Sequence, residues 1–114
     1  MHNDSVYIID GVRTALAKPS RGLKKFTAAQ LAGAVIKELV GRNKINPSLI
    51  AEVALGNTVS AGTGQNFARQ SIALAGLPLD IPAYLVNNVC SSDLQSVIIG
   101  AQAILSGQAQ VFIA

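Results

Sequence analysis

The sequence has no tryptophan, a single cysteine, Cys90, and a single histidine, His2. One cysteine excludes an intrachain disulfide and a cysteine-built zinc site, and it fits a reducing compartment. No metal centre is expected. Aromatic residues make up 4% and charged residues 13% of the chain, and the net charge of +3 is spread rather than massed among aromatics, so a nucleic-acid partner is not expected. Lys18, Arg21, Lys24 and Lys25 share one loop, which reads first as solvated; attraction of an anionic ligand is the alternative. The chain opens without a basic, apolar leader and lacks the run of roughly eighteen apolar residues that a spanning helix needs. No membrane partner and a cytoplasmic location are therefore expected.

What the chain does have is apolar residues, half of its 114. A chain this short leaves about a third of its unfolded surface exposed, so much of that surface has to be apolar. A partner is expected to cover it, either a second domain or a second copy. The sequence also runs out within a strand-like stretch, Val111-Phe112-Ile113-Ala114.

Periodicity gives the order of elements. Val6 to Asp10 is a continuous apolar run ending in a turn at Asp10-Gly11, and it predicts a first strand. Thr27 with Gln30 forms a capping box for a helix whose apolar residues are Ala28, Leu31, Ala32, Val35, Ile36 and Leu39, with Gly41 as its stop. Asn46 caps a brief turn with Pro47 in first position. A second strand is predicted over Val53 to Val59, where Gly56 signals a close backbone approach or a bulge. Gly62 and Gly64 give a G-x-G spacing too incomplete for a phosphate loop. Asn66 caps a helix running to about Ala75, which Gly76 and Pro78 terminate. A third strand over Ala83 to Val89, a third helix over Leu94 to Leu105 ended by Gly107, and a fourth strand over Ala109 to Ala114 complete the order. Such βαβαβαβ alternation makes a mainly parallel α/β sheet, because crossovers return each strand in the same direction.

Cys90 stands where the third strand hands over to the third helix. Ser91 and Ser92 can each cap that helix, and Ser92 with Gln95 fits a capping box. The unpaired N–H groups and dipole of a helix start favour a thiolate. A lone cysteine is as readily a small buried hydrophobe, and position alone leaves both readings open. The helix itself carries Leu94, Val97, Ile98, Ala101, Ile104 and Leu105, with Ile99 widening the apolar face. It is expected to be covered on more than one side.

The run Val86-Asn87-Asn88-Val89-Cys90-Ser91-Ser92, followed by Leu94-Gln95 and Val97, resembles the nucleophile motif of the thiolase family. The similarity continues through Asp10-Gly11-Val12-Arg13-Thr14, Gly56-Asn57, and Gly64-Gln65-Asn66 with Ala68-Arg69-Gln70. The resemblance implies that residues 1–114 are the N-terminal part of a five-layered α/β/α/β/α sandwich, incomplete by themselves. It implies that Cys90 attacks an acyl-CoA to form an acyl-enzyme, its backbone N–H contributing to the oxyanion site. The acyl group then passes on in a Claisen condensation or in thiolysis. Coenzyme A thioesters enter as substrates, no further cofactor is implied, and a homo-oligomer is expected. Arg13, Thr14 and Arg69 match family positions with structural or subunit-contact roles, Arg69 as an ion-pair or subunit-contact residue.

The same resemblance makes two absences informative. The histidine and second cysteine that complete thiolase chemistry lie in the family's C-terminal part. His2, near the chain start, is not expected to replace them. Asp93 stands where the family has glycine. An acid in a first helical turn is favourable by about 0.3–1 kcal/mol, whereas a carboxylate close to Cys90 opposes a second negative charge. Impaired catalysis is the expectation. The alternative to an enzyme segment is a non-catalytic remnant that acts as a dimerising piece.

Overall fold

The structure, a computed structural model, describes residues 5–114. Its elements in chain order are α1 (Ala28–Arg42), a 3-10 turn (Pro47–Leu49), β1 (Ile50–Gly56), α2 (Phe67–Leu74), β2 (Ala83–Val86), α3 (Ser92–Leu105) and β3 (Val111–Ile113). The three strands form one parallel sheet in the order β2-β1-β3. Val53 pairs with Ala83 on one side and Ile113 on the other. The α/β alternation and parallel direction expected from the sequence are therefore present.

Each helix has a local cause. Thr27 and Gln30 close the capping box at the start of α1, with Gln30 N–H donating to Thr27 Oγ1 over 3.1 Å and Thr27 N–H to Gln30 Oε1 over 2.9 Å. Asn66, at φ 44°, caps α2 by accepting from Arg69 N–H at 3.1 Å. Gly76 and Gly107 take φ values of 75° and 77° just beyond α2 and α3, where a Cβ would be strained. Gly41 does not stop α1, which runs on to Arg42. Asn43 is the cap, its Nδ2 donating to the Leu39 carbonyl, and Lys44 makes the left-handed turn at φ 52°.

The two faces of the sheet are covered differently. Ile36 and Val40 of α1, Ala68 and Ile72 of α2, and Val53, Ala83 and Ile113 of the sheet belong to one apolar core, with Ile72 and Val53 fully buried. Strand alternation turns Ala54 and Gly56 to the other face, where α3 lies. There the buried helix residues are Ser92, Ser96 and Gly100, at four-residue steps. A Cβ on Gly100 would sit 2.6 Å from Phe112 Cδ1, so the small stripe lets α3 press closely on the sheet.

Three expectations need correction. Val6–Asp10 is extended but pairs with no strand among the described residues. A strand exists only through its ladder; here Tyr7, Ile8 and Ile9 stay exposed, and the segment is held at its end by Asp10. Its residues line a groove of about 410 Å³ with Leu39, Ile45, Val97, Ile104 and Phe112. Second, the buried face of α1 is rotated from the predicted one: Ala29, Gly33, Ile36 and Val40 are buried, while of the predicted residues Ile36 is buried and Leu31, Ala32, Val35 and Leu39 are half-buried, because Gly33 meets α2: a Cβ there would lie 2.9 Å from Leu74 Cβ. Third, among the described residues the broad apolar face of α3 is left uncovered. Leu94, Val97, Ile98 and Leu105 are exposed. The strands are also shorter or shifted, β1 beginning at Ile50 and β2 ending at Val86.

Candidate active site

In an open parallel sheet, sites gather at the carboxyl ends of the strands. The ends of β1 and β2 lie side by side, with Gly56 paired to Val86 and Asn57 N–H donating to the Val86 carbonyl at 3.1 Å. The chain leaving β2 turns through Asn87-Asn88-Val89-Cys90 into α3. Cys90 is a free, exposed thiol next to Ser91, the N-cap residue of a 14-residue helix. Among the described residues nothing buries this thiol.

Backbone strain marks the residue before it. Val89 has φ 50°, in the left-handed region that a β-branched side chain rarely enters. Such a conformation persists where the surroundings over-determine it, and here they do. The Val89 carbonyl accepts from Thr58 Oγ1 at 2.6 Å, from Ser92 Oγ at 2.6 Å and from Ser92 N–H at 3.2 Å. Val89 N–H donates to Asn87 Oδ1 at 3.0 Å, while Asn87 Nδ2 donates to the Thr58 carbonyl at 3.2 Å. Thr58 thus holds the turn through both its side chain and its backbone.

The serine capping expected from the sequence does not form. Ser91 makes no side-chain cap bond, and Ser92 turns back, its Oγ accepting from Asn88 N–H at 2.9 Å while donating to Val89. A short hydroxyl side chain serves a local turn as readily as a helix end, and the strained turn wins it. The turn that leads into Cys90 is therefore held by a web of hydroxyls and amides.

Asp93 occupies the first turn of α3, over β1. A Cβ on Gly56 would collide with Asp93 Oδ1 and lie 2.6 Å from Asp93 N and 2.8 Å from the Ser92 carbonyl carbon. The close approach signalled by the strand glycine is real, and the carboxylate is seated on Gly56. Beside it, Asn57 Nδ2 is buried and finds no acceptor among the described residues.

Other residues singled out in the sequence fall away from this turn into structural roles. Asn66 Nδ2 donates to the Ala83 carbonyl at 2.9 Å, and Gln70 Nε2 donates to the Thr63 and Gln65 carbonyls, each at 2.9 Å, pinning the glycine loop. Arg69 donates to the Leu79 carbonyl, so its partner is a loop and not an acid. Arg13 reaches the Thr14 carbonyl. Lys18, Arg21, Lys24 and Lys25 are exposed. His2 lies outside the described residues.

The perturbed titrating groups also lie elsewhere. Arg42, then Asn43 and the Gly11 N–H, hold the Asp10 carboxyl well below its usual range, and Asp10 raises Arg42 in return. The Tyr84 phenol on β2 is pushed up by burial and then by Glu52. Sequence reasoning missed Thr58 as part of the Cys90 turn, and placed Asn87 in the motif without a role. The available signal for Thr58 was its place just past a strand end.

Comparison with known proteins places the sequence. The family model described as the thiolase N-terminal domain matches residues 6–114. The acetyl-CoA acetyltransferase of Chromobacterium violaceum is 44% identical over 109 residues, covering 96% of this chain and 28% of that protein. Those of Schizosaccharomyces pombe and Escherichia coli are 41% and 42% identical, covering 100% and 94% of this chain and 29% and 27% of theirs. The chain thus spans less than a third of the length of these relatives.

Proposed function

The chain belongs to the thiolase family as N-terminal-domain sequence, and on that premise we propose that Cys90 is an acyl-accepting nucleophile toward coenzyme A thioesters. The Cys90 thiol gives its proton to solvent, the thiolate attacks the thioester carbonyl while the Cys90 backbone N–H helps hold the oxyanion, and collapse breaks the bond to coenzyme A, which leaves as a thiolate and takes a proton from solvent. The observation that carries the reading is the exposed Cys90 at the start of α3, set by a strained, multiply hydrogen-bonded turn. Acetyl-CoA is the favoured donor, since the similar proteins are named acetyl-CoA acetyltransferases. The soluble acyl donor and the free thiol suit a cytoplasmic setting.

These 114 residues hold the nucleophile without a second cysteine, and their one histidine is His2. The acyl-enzyme step, with solvent taking the Cys90 proton, is the one left to them, slowed by the Asp93 carboxylate, whereas condensation and thiolysis need a base they do not supply. Incubating the chain with acetyl-CoA should place an acetyl group on Cys90, read by intact mass and peptide mapping. Cys90→Ala should abolish it, and no acetoacetyl-CoA cleavage should be seen. Acetylation spread over lysines with none on Cys90 would sink the nucleophile reading.

A second reading, that these residues act as an assembly piece, is favoured by the exposed Leu94, Val97, Ile98 and Leu105 of α3. It expects self-association into a homo-oligomer. A monodisperse monomer by light scattering at micromolar concentration would count against it.

A further inference from the structure

We infer that Thr58 is a positioning residue for Cys90, setting the thiol's place at the start of α3 through the Val89 carbonyl; this rests on the nucleophile reading above. Val89 is the strained link: its φ of 50° carries a β-branched side chain immediately before the thiol. Of the groups that hold its carbonyl, Ser92 belongs to the same turn and moves with it. Thr58 is the donor from outside, 31 residues away and just past the end of β1, and its Oγ1 reaches the carbonyl at 2.6 Å. Its own carbonyl accepts from Asn87 Nδ2, so the sheet grips the turn at two points. Thr58 Oγ1 also lies 3.5 Å from Ser92 Oγ, so the two hydroxyls brace one oxygen together. Removing the Thr58 hydroxyl frees Val89 to relax toward negative φ, which swings Cys90 away from the helix start.

The test compares Thr58→Val with Thr58→Ser in the 114-residue chain, reading the iodoacetamide alkylation rate of Cys90 at fixed pH alongside the melting midpoint. Thr58→Val should slow alkylation by about threefold to tenfold, the scale of one hydrogen bond. Thr58→Ser keeps the donor and should retain the parent rate. An unchanged rate in folded Thr58→Val, or an equal loss in Thr58→Ser, overturns the inference. Glycine adopts the left-handed φ without strain, so in a Val89→Gly background Thr58→Val should change the rate less than in the parent. An equal change in both backgrounds overturns it. If Thr58→Val alone does not fold, Val89→Gly should restore folding, and a double variant that stays unfolded also overturns it. Acetyl transfer from acetyl-CoA is scored in parallel. Its absence with the alkylation pattern intact removes the nucleophile reading and leaves the placement of Cys90 standing.

Discussion

The two faces of the sheet use the same packing device and reach opposite ends. On one, α1 brings Ala29 and Gly33 against α2, and the approach closes a continuous apolar core around Ile72 and Val53. On the other, α3 brings Ser92, Ser96 and Gly100 down to the sheet, yet its large side chains point outward and its first turn belongs to a polar network. Small residues at four-residue steps therefore govern how near a helix comes. They do not decide what the helix buries. The closed face maintains the fold, and the open face carries the Cys90 turn.

Substitutions can break or sharpen that contrast. The largest effect should come from the closed face: Ile72→Ala empties a fully buried position and should cost about 2–5 kcal/mol in urea unfolding. A loss below 1 kcal/mol would mean that this face is not the one holding the chain together. Next, Gly56→Ala drives a methyl into Asp93 at the start of α3 and should cost about 1–3 kcal/mol. That variant should also alter Cys90 alkylation, whereas Ile72→Ala, if still folded, should not. Leu94→Ser on the open face should change stability by no more than about 0.5 kcal/mol, while reducing any self-association seen by light scattering.

The smallest effect is the acid dependence of Asp10. Its folded carboxyl titrates well below its unfolded value of about 3.9. Its contribution is therefore complete above that value and is lost as pH falls through it toward the folded value. Asp10→Asn should flatten the part of the stability curve below about pH 4 and leave the neutral part with the same slope. Arg42 is exposed and Asp10 half-buried, so added salt should shrink the difference.

Much of this was legible from residue chemistry. Thr27 with Gln30, Asn46 before Pro47, Asn66, Gly76 and Gly107 are local signals, each satisfied by neighbours a few positions away, and each sits where its pattern placed it. The strand-to-helix junction at Cys90 is of the same kind. Val6–Asp10 was misread because a strand needs an edge to pair with, and no property of the segment reveals that edge. Ser92 was misread because a hydroxyl has two local uses, and the choice depends on Val89, whose strain is set by Thr58 on another element. The buried faces of α1 and α3 escaped notice because periodicity tracks large apolar side chains, while contact here is made by glycine, alanine and serine.

The strand order carries one last consequence. β1 lies in the middle of the sheet, yet its second neighbour, β3, comes from the far end of the sequence, with Val53 opposite Ile113. Pairings between residues so distant along a chain are slow to form. On a ribosome, synthesis runs from the N-terminus, so the middle strand has to wait with one flank bare until residues 111–113 have cleared the exit tunnel.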